Sequence, residues 1–134
     1  MKILIFGDSN AHDYFDKHEI TVENHPGLKI DDNFWFFFDV ALADDAYNVV
    51  IVSIGGNHPG EDLSAEFARI RSTPDVPTFV VGPHADVDTL QLQKTDNVHL
   101  SDAAVQLTGR LLERLISETC VESLEEQLLR TTLN

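Results

Sequence analysis

A chain of 134 residues, 43% of them hydrophobic, suffices for a single domain over residues 1–134 with a buried core and leaves little room for a second. Nine basic against 23 acidic side chains give a formal charge of −14, which repels phosphate backbones and anionic lipid, so neither nucleic acid nor a membrane surface is an expected partner. No apolar run approaches the roughly 20 residues of a membrane span, and the lone Cys120 excludes an intramolecular disulfide and a structural zinc site of several cysteines.

Taken in chain order, the first apolar run is only Ile3 to Phe6 before Gly7. It is too short for a secretory leader, so Lys2 to Phe6 is predicted as a buried parallel strand and cytoplasm as the compartment. Ile20 to Glu23 is a weaker strand, closed by the turn signal His25-Pro26-Gly27. Asp31 to Asp45 predicts a helix, with Asp31 or Asp32 as N-cap and Trp35, Phe38, Ala41 and Leu42 on its apolar face. The aromatic run Phe34 to Phe38 cannot all face inward, so part of it is expected to cover a ligand or a partner.

Asn48 to Ile54, β-branched and uncharged, is the strongest strand and stops at Gly55-Gly56. Glu61 to Arg71 predicts a helix through Leu63, Phe67 and Ile70, and Thr78 to Val81 another buried strand ended by Gly82-Pro83. Thr89 to Gln93 reads as an edge strand or a helix. Only six residues, Pro83 to Asp88, would link it to the preceding strand, where a parallel crossover takes about ten or more. Four strands are therefore expected, with a fifth left open. Ser101 caps a long helix with the stripe Val105, Thr108, Leu111, Leu112, Leu115 and Ile116. Val121 to Arg130 reads as a second helical stretch whose Val121, Leu124, Leu128 and Leu129 form a packed face or a homodimer contact.

Strands alternating with helices imply a mostly parallel sheet covered on both faces, and such sheets bind ligands outside the carboxyl ends of their strands. To that edge the chain delivers Gly7-Asp8-Ser9-Asn10, Pro26-Gly27, Gly55-Gly56-Asn57-His58, Pro83-His84 and, before the last long helix, Asp96-Asn97-Val98-His99. A serine hydroxyl becomes a nucleophile when an imidazole takes its proton, and a carboxylate on the other ring nitrogen fixes the tautomer. Asp96 and His99, three apart, are spaced to make that pair. The Ser9 and Gly27 backbone N–H groups and the Asn57 amide are suitable donors to an oxyanion. Asp8 reads as shaping the turn after the first strand. His12, His18 and His25 read as surface residues, whereas Asn10, His58 and His84 are candidate substrate contacts. No P-loop, dinucleotide fingerprint or Gly-x-Ser-x-Gly elbow is present.

The runs Ile5-Phe6-Gly7-Asp8-Ser9-Asn10, Val52-Ser53-Ile54-Gly55-Gly56-Asn57 and Asp96-Asn97-Val98-His99-Leu100-Ser101 resemble blocks I, III and V of the SGNH (GDSL-like) hydrolases, in the family's order. Pro26-Gly27 is similar to the glycine of block II. The resemblance implies a three-layer α/β/α sandwich with a flavodoxin-like sheet of four to five strands. It implies a Ser9-His99-Asp96 triad, an oxyanion hole of Ser9, Gly27 and Asn57, no metal or cofactor, and a small-molecule or carbohydrate ester as substrate, either a small acyl group such as acetate on a sugar or a short lipid ester. His58 stands where the family usually has Asp, and only 38 residues separate Asn57 from Asp96. A trimmed chain of this kind is expected to have a shallow pocket, or one completed by another subunit, which favours acetyl esters. The competing expectation is a binding or structural module that keeps the fold without the activity.

Overall fold

The computed structural model describes residues 1–133, without the side chains at 120–124, 126–127 and 130–133. Five parallel strands form one sheet in the order β2-β1-β3-β4-β5: β1 (Lys2–Gly7), β2 (Glu19–Asn24), β3 (Val49–Ser53), β4 (Thr78–Gly82) and β5 (Val87–Asp88). Three helices accompany them: α1 (Asp32–Asp44), α2 (Ser64–Ser72) and α3 (Asp102–Leu133). None is long and apolar enough to cross a membrane among the described residues.

Side chains alternate across the central strands, so each strand feeds two cores. Leu4, Phe6, Val50, Val52 and Val80 meet Phe34, Phe38 and Ala41 of α1 and Phe67 and Ile70 of α2. Ile3, Ile5, Val49, Ile51 and Val81 meet Leu112 and Ile116 of α3, together with Tyr14 and Phe15. Asp31 caps α1, its carboxylate accepting from the N–H of Phe34 at 3.1 Å. Helical spacing divides the aromatic run as expected. Phe34 and Phe38 are buried, whereas Phe36 is 65% exposed and Trp35 lies under the Arg69 guanidinium of α2, 3.8 Å away.

Two expectations are corrected. The fifth strand exists, but it is Val87–Asp88 rather than Thr89 to Gln93, and four residues, 83–86, join it to β4. So short a link works because the chain does not cross the sheet; it loops back one step. Ala85 donates to the Gly82 carbonyl at 3.2 Å, and His84 adopts the left-handed conformation at φ 56°. The Asp86 carboxylate takes the N–H of Val80 at 2.8 Å, replacing a strand residue, and also pairs with Arg71 at 2.9 Å. Residues Thr89–Gln91 then make a single 3₁₀ turn capped by Asp88.

The second correction concerns the C-terminus, where Asp102–Leu133 is one continuous helix rather than two. No proline or glycine interrupts it after Gly109, and Thr119 satisfies its hydroxyl on the Leu115 carbonyl at 3.0 Å. Leu128 and Leu129 are exposed, and the Val121 and Leu124 side chains lie outside the described residues.

Gly109 explains how α3 seats itself. A Cβ there would stand 2.0 Å from the carbonyl oxygen of Tyr14, so the helix backbone presses directly on the segment after Ser9. Alanine ordinarily gains about 1 kcal/mol over glycine in a helix. Here overpacking, worth about 1–3 kcal/mol or more, outweighs that gain. Gly109→Ala is expected to lower the urea midpoint; an unchanged or raised midpoint would refute the close approach.

Candidate active site

Strand β1 ends against β3. The N–H of Asp8 donates to the Ser53 carbonyl at 2.9 Å, and a Cβ on Gly7 would fall 1.8 Å from that same oxygen, so only glycine fits. The Asp8 side chain then turns inward, 1% exposed, and accepts the Asn10 N–H at 2.9 Å. The Ala11 N–H closes the turn on the Asp8 carbonyl at 3.0 Å. Asp8 thus shapes the turn as the sequence suggests, and the turn presents Ser9, half-buried, at its corner.

The Asn10 side chain holds the His99 loop. Its amide nitrogen donates to the Val98 carbonyl at 2.9 Å, and its amide oxygen accepts the Leu100 N–H at 3.0 Å. These two residues flank His99, so the Ser9 turn grips the His99 loop on both sides of the histidine. Beneath the joint, the buried Tyr14 hydroxyl donates to the Asn10 carbonyl and lies 3.3 Å from Ser53 Oγ. Burial pushes that phenol up from its ordinary range.

The His99 loop is itself a small hairpin, closed by an antiparallel bridge between Lys94 and Leu100 and by Thr95 N–H donating to the His99 carbonyl at 2.9 Å. At its tip Asp96 accepts from the N–H groups of Val98 at 2.8 Å and His99 at 2.7 Å, and its second oxygen meets His99 Nδ1 at 2.7 Å. Those bonds, first the His99 N–H, hold the Asp96 carboxyl well below the usual range. The pair forms as its spacing predicts. His99 is half-exposed, and its Nε2 has no hydrogen-bond partner among the described residues. Ser9 Oγ has none either, so no hydrogen bond joins Ser9 to His99 in this state.

After β3 the chain turns at Gly55, φ 109°, and Gly56 packs beside Asn10, Asp8 and Val98. Asn57 donates one amide N–H to the Leu28 carbonyl at 3.0 Å, leaving the other N–H available. His58 braces the same segment: its Nε2 accepts the Ile30 N–H at 2.9 Å while Nδ1 meets Glu61 at 2.7 Å. Nε2 thus holds the loop that follows Gly27, and Nδ1 is engaged within the segment of His58 itself. Gly27 sits at φ 78° in the His25–Leu28 turn, and its N–H, like that of Ser9, is unengaged among the described residues. His84 is exposed, on the rim of a neighbouring cavity. Among the described residues no cluster of three or more His, Cys, Asp or Glu side chains is placed to hold a metal.

That cavity, of about 600 Å³, is lined by Asp8, Asn10 and Gly56, by the apolar Ile54, Leu63, Phe67, Leu90 and Val98, and by polar and charged side chains including His58, Glu61, Asp62 and Lys94, whereas Ser9, Gly27, Asn57 and His99 do not line it. The segment before α3 contributes Thr89, Leu90, Lys94, Asn97 and Val98 to its lining. A second groove, of about 440 Å³, includes Gly27, Asn24 and Phe37. Comparison with known proteins yields no matching family model and no significant match among curated proteins or solved structures.

Sequence reasoning missed two features. Asn10 as a clamp has no local signal, since its partners lie 88 and 90 residues away. His12, read as a surface residue, is half-buried beneath the site, where burial and then His99 lower its basicity against the opposing pull of Asp102.

Burial raises the Asp8 carboxyl from 3.8 to about 6, against the pull of the Asn10 N–H and of His99. Between those two values the unfolded chain loses the proton before the folded one does. Stability from this group is therefore present below about pH 4 and lost as pH rises through 6, by up to about 3 kcal/mol. Asp8→Asn keeps the acceptor for Asn10 without the charge. Its stability relative to wild type should rise between pH 4 and 7, read from urea unfolding at each pH. Parallel curves would refute the raised value.

Proposed function

We propose that this chain is a serine esterase of the SGNH (GDSL-like) kind, built as a three-layer α/β/α sandwich with a flavodoxin-like sheet. The strand order supports the fold reading: the connections reverse between β1 and β3, and in doubly wound sheets ligands bind at that reversal. Ser9 follows β1 and Asn57 follows β3, one on each side of the reversal.

The observation that carries the functional reading is the grip of Asn10 on both neighbours of His99, together with Asp96 on His99 Nδ1. Asp96 makes Nδ1 the protonated nitrogen and leaves Nε2 as the basic one, on a loop fastened to the nucleophile's own turn. In the proposed mechanism His99 Nε2 takes the Ser9 hydroxyl proton as Oγ attacks the ester carbonyl carbon. The oxyanion is received by the N–H groups of Ser9 and Gly27 and the free amide N–H of Asn57. The tetrahedral intermediate collapses, the C–O bond to the alcohol breaks, and His99 protonates the departing oxygen. Water, deprotonated by the same histidine, then releases the acid and restores Ser9. The Ser9–His99 hydrogen bond forms in this scheme when substrate is bound, as catalytic contacts often tighten only then.

The competing reading, a binding module without activity, draws on that same unmade bond. A fluorophosphonate separates the two, because only an activated serine is phosphonylated. Wild type should be labelled at Ser9, and labelling should vanish in Ser9→Ala and fall by orders of magnitude in His99→Ala. Turnover of p-nitrophenyl esters should drop at least about 10⁴-fold in Ser9→Ala and about 10²–10³-fold in Asn57→Ala. A wild type that is neither labelled nor faster than buffer refutes the esterase and leaves the binding module.

A further inference from the structure

We propose that the outer face of α1 is a docking surface for a second protein, one that presents an apolar segment flanked by lysine or arginine. The inference is independent of the esterase reading. Its first support is an apolar stripe that the fold does not use. Phe34, Phe38 and Ala41 fill the core, and Trp35 turns to α2 beneath Arg69. Phe36 and Val40 remain 65% and 54% exposed, and Phe37, 39% exposed, stacks on His25 with ring centroids 5.0 Å apart. At about 3.6 residues per turn, Phe36, Val40 and Ala43 follow one line along the solvent side of the helix. Aromatic and β-branched residues are not what an exposed helical position favours. A contiguous apolar stripe rimmed by polar groups marks an interaction site.

The second support is the rim. By the same helical spacing, Asp32 and Asp39 run along one flank of the stripe and Asp44 along the other. Phe37 faces the end of β2 through His25, and β2 itself turns Glu19 and Glu23 to the α1 side of the sheet, in register with Lys2 and Phe6. Of the cations nearby, Lys2 is paired with Asp45 at 2.7 Å and Arg69 is held over Trp35. Lys29 stands at the N-terminal end, in the groove of about 440 Å³ that Phe37 and Asn33 also line. That groove offers a receptacle for an anchoring side chain where the stripe begins.

These charges choose the occupant. A second copy, itself at −14, would bring Asp32, Asp39 and Asp44 against their own equivalents in a two-fold contact, and anionic lipid is repelled for the same reason. An apolar segment with basic flanks satisfies both the stripe and its rim. A helix whose anchors stand three and four residues apart matches the spacing of Phe36, Val40 and Ala43.

The test is selection of a phage-displayed random peptide library on the full chain, followed by fluorescence anisotropy of the enriched peptides. These should combine leucine or aromatic residues with lysine or arginine. Phe36→Ser together with Val40→Ser should weaken their binding at least about tenfold, with the circular dichroism spectrum unchanged. Raising salt from about 50 to 500 mM should weaken wild-type binding several-fold. Asp39→Lys together with Asp44→Lys leaves the stripe intact, so this pair should lose the basic peptides and select acidic ones, and it decides the matter if the serine pair disturbs folding. Failure to enrich any peptide, enrichment of neutral or acidic peptides on wild type, or equal binding by a folded serine pair overturns the proposal. So does a wild-type dimer in light scattering that Phe36→Ser dissolves, which would put a second copy on the stripe.

Discussion

The side-chain amide of Asn10 joins two segments of the chain that nothing local would bring together. It accepts from Leu100 and donates to Val98, so it reads the backbone polarity on both sides of His99 at once. An aspartate in its place would set a charged oxygen against the Val98 carbonyl, and an alanine would strand a buried donor and acceptor, each at a cost of about 1–3 kcal/mol. The joint is itself supported: Tyr14 holds the Asn10 carbonyl from below, and α3, through Gly109, holds Tyr14. The position of the histidine thus depends on packing that reaches from the β1 turn to the longest helix.

Two aspartates at this edge show how environment divides identical chemistry. Asp96 is open to water and saturated with donors, which keeps it ionised and the His99 ring oriented. Asp8 is enclosed and holds its proton to about pH 6. Above that pH it is ionised as well, beside the Ser9 turn. Hydrogen bonds lower one carboxyl and burial raises the other, in the manner of paired carboxylates whose surroundings drive them apart.

What the sequence reveals depends on how far each signal extends. β1, β3 and β4 are legible because an uninterrupted, mostly β-branched apolar run ended by glycine suits a buried strand and little else, and Asp31 is legible as a cap because its partner is three residues away. The Asp96–His99 pair belongs to the same class. β5 is not legible: a strand of two residues has no period, and the group that completes the sheet edge there is the side chain of Asp86 rather than a backbone. Nor is the continuity of α3, which the sequence divides into a helix capped by Ser101 and a second stretch from Val121; between them the Thr119 hydroxyl bonds within the helix. His58 occupies a position where an aspartate is expected; its imidazole braces the Ile30 N–H and Glu61 instead, which only the fold could show.

The segment from β4 to α3 carries three duties in about twenty residues. It supplies the last strand, walls the cavity and positions His99. In a longer chain separate elements would take these tasks, and each could vary alone. Here the Lys94–Leu100 bridge closes the loop that bears His99, and the Lys94 ammonium also grips the Thr89 carbonyl at 2.6 Å, beside Leu90 at the cavity lip. A substitution that reshapes the wall therefore pulls on the hairpin that carries His99, and the Lys94–Leu100 bridge and the Asn10 clamp are the contacts that would absorb the displacement.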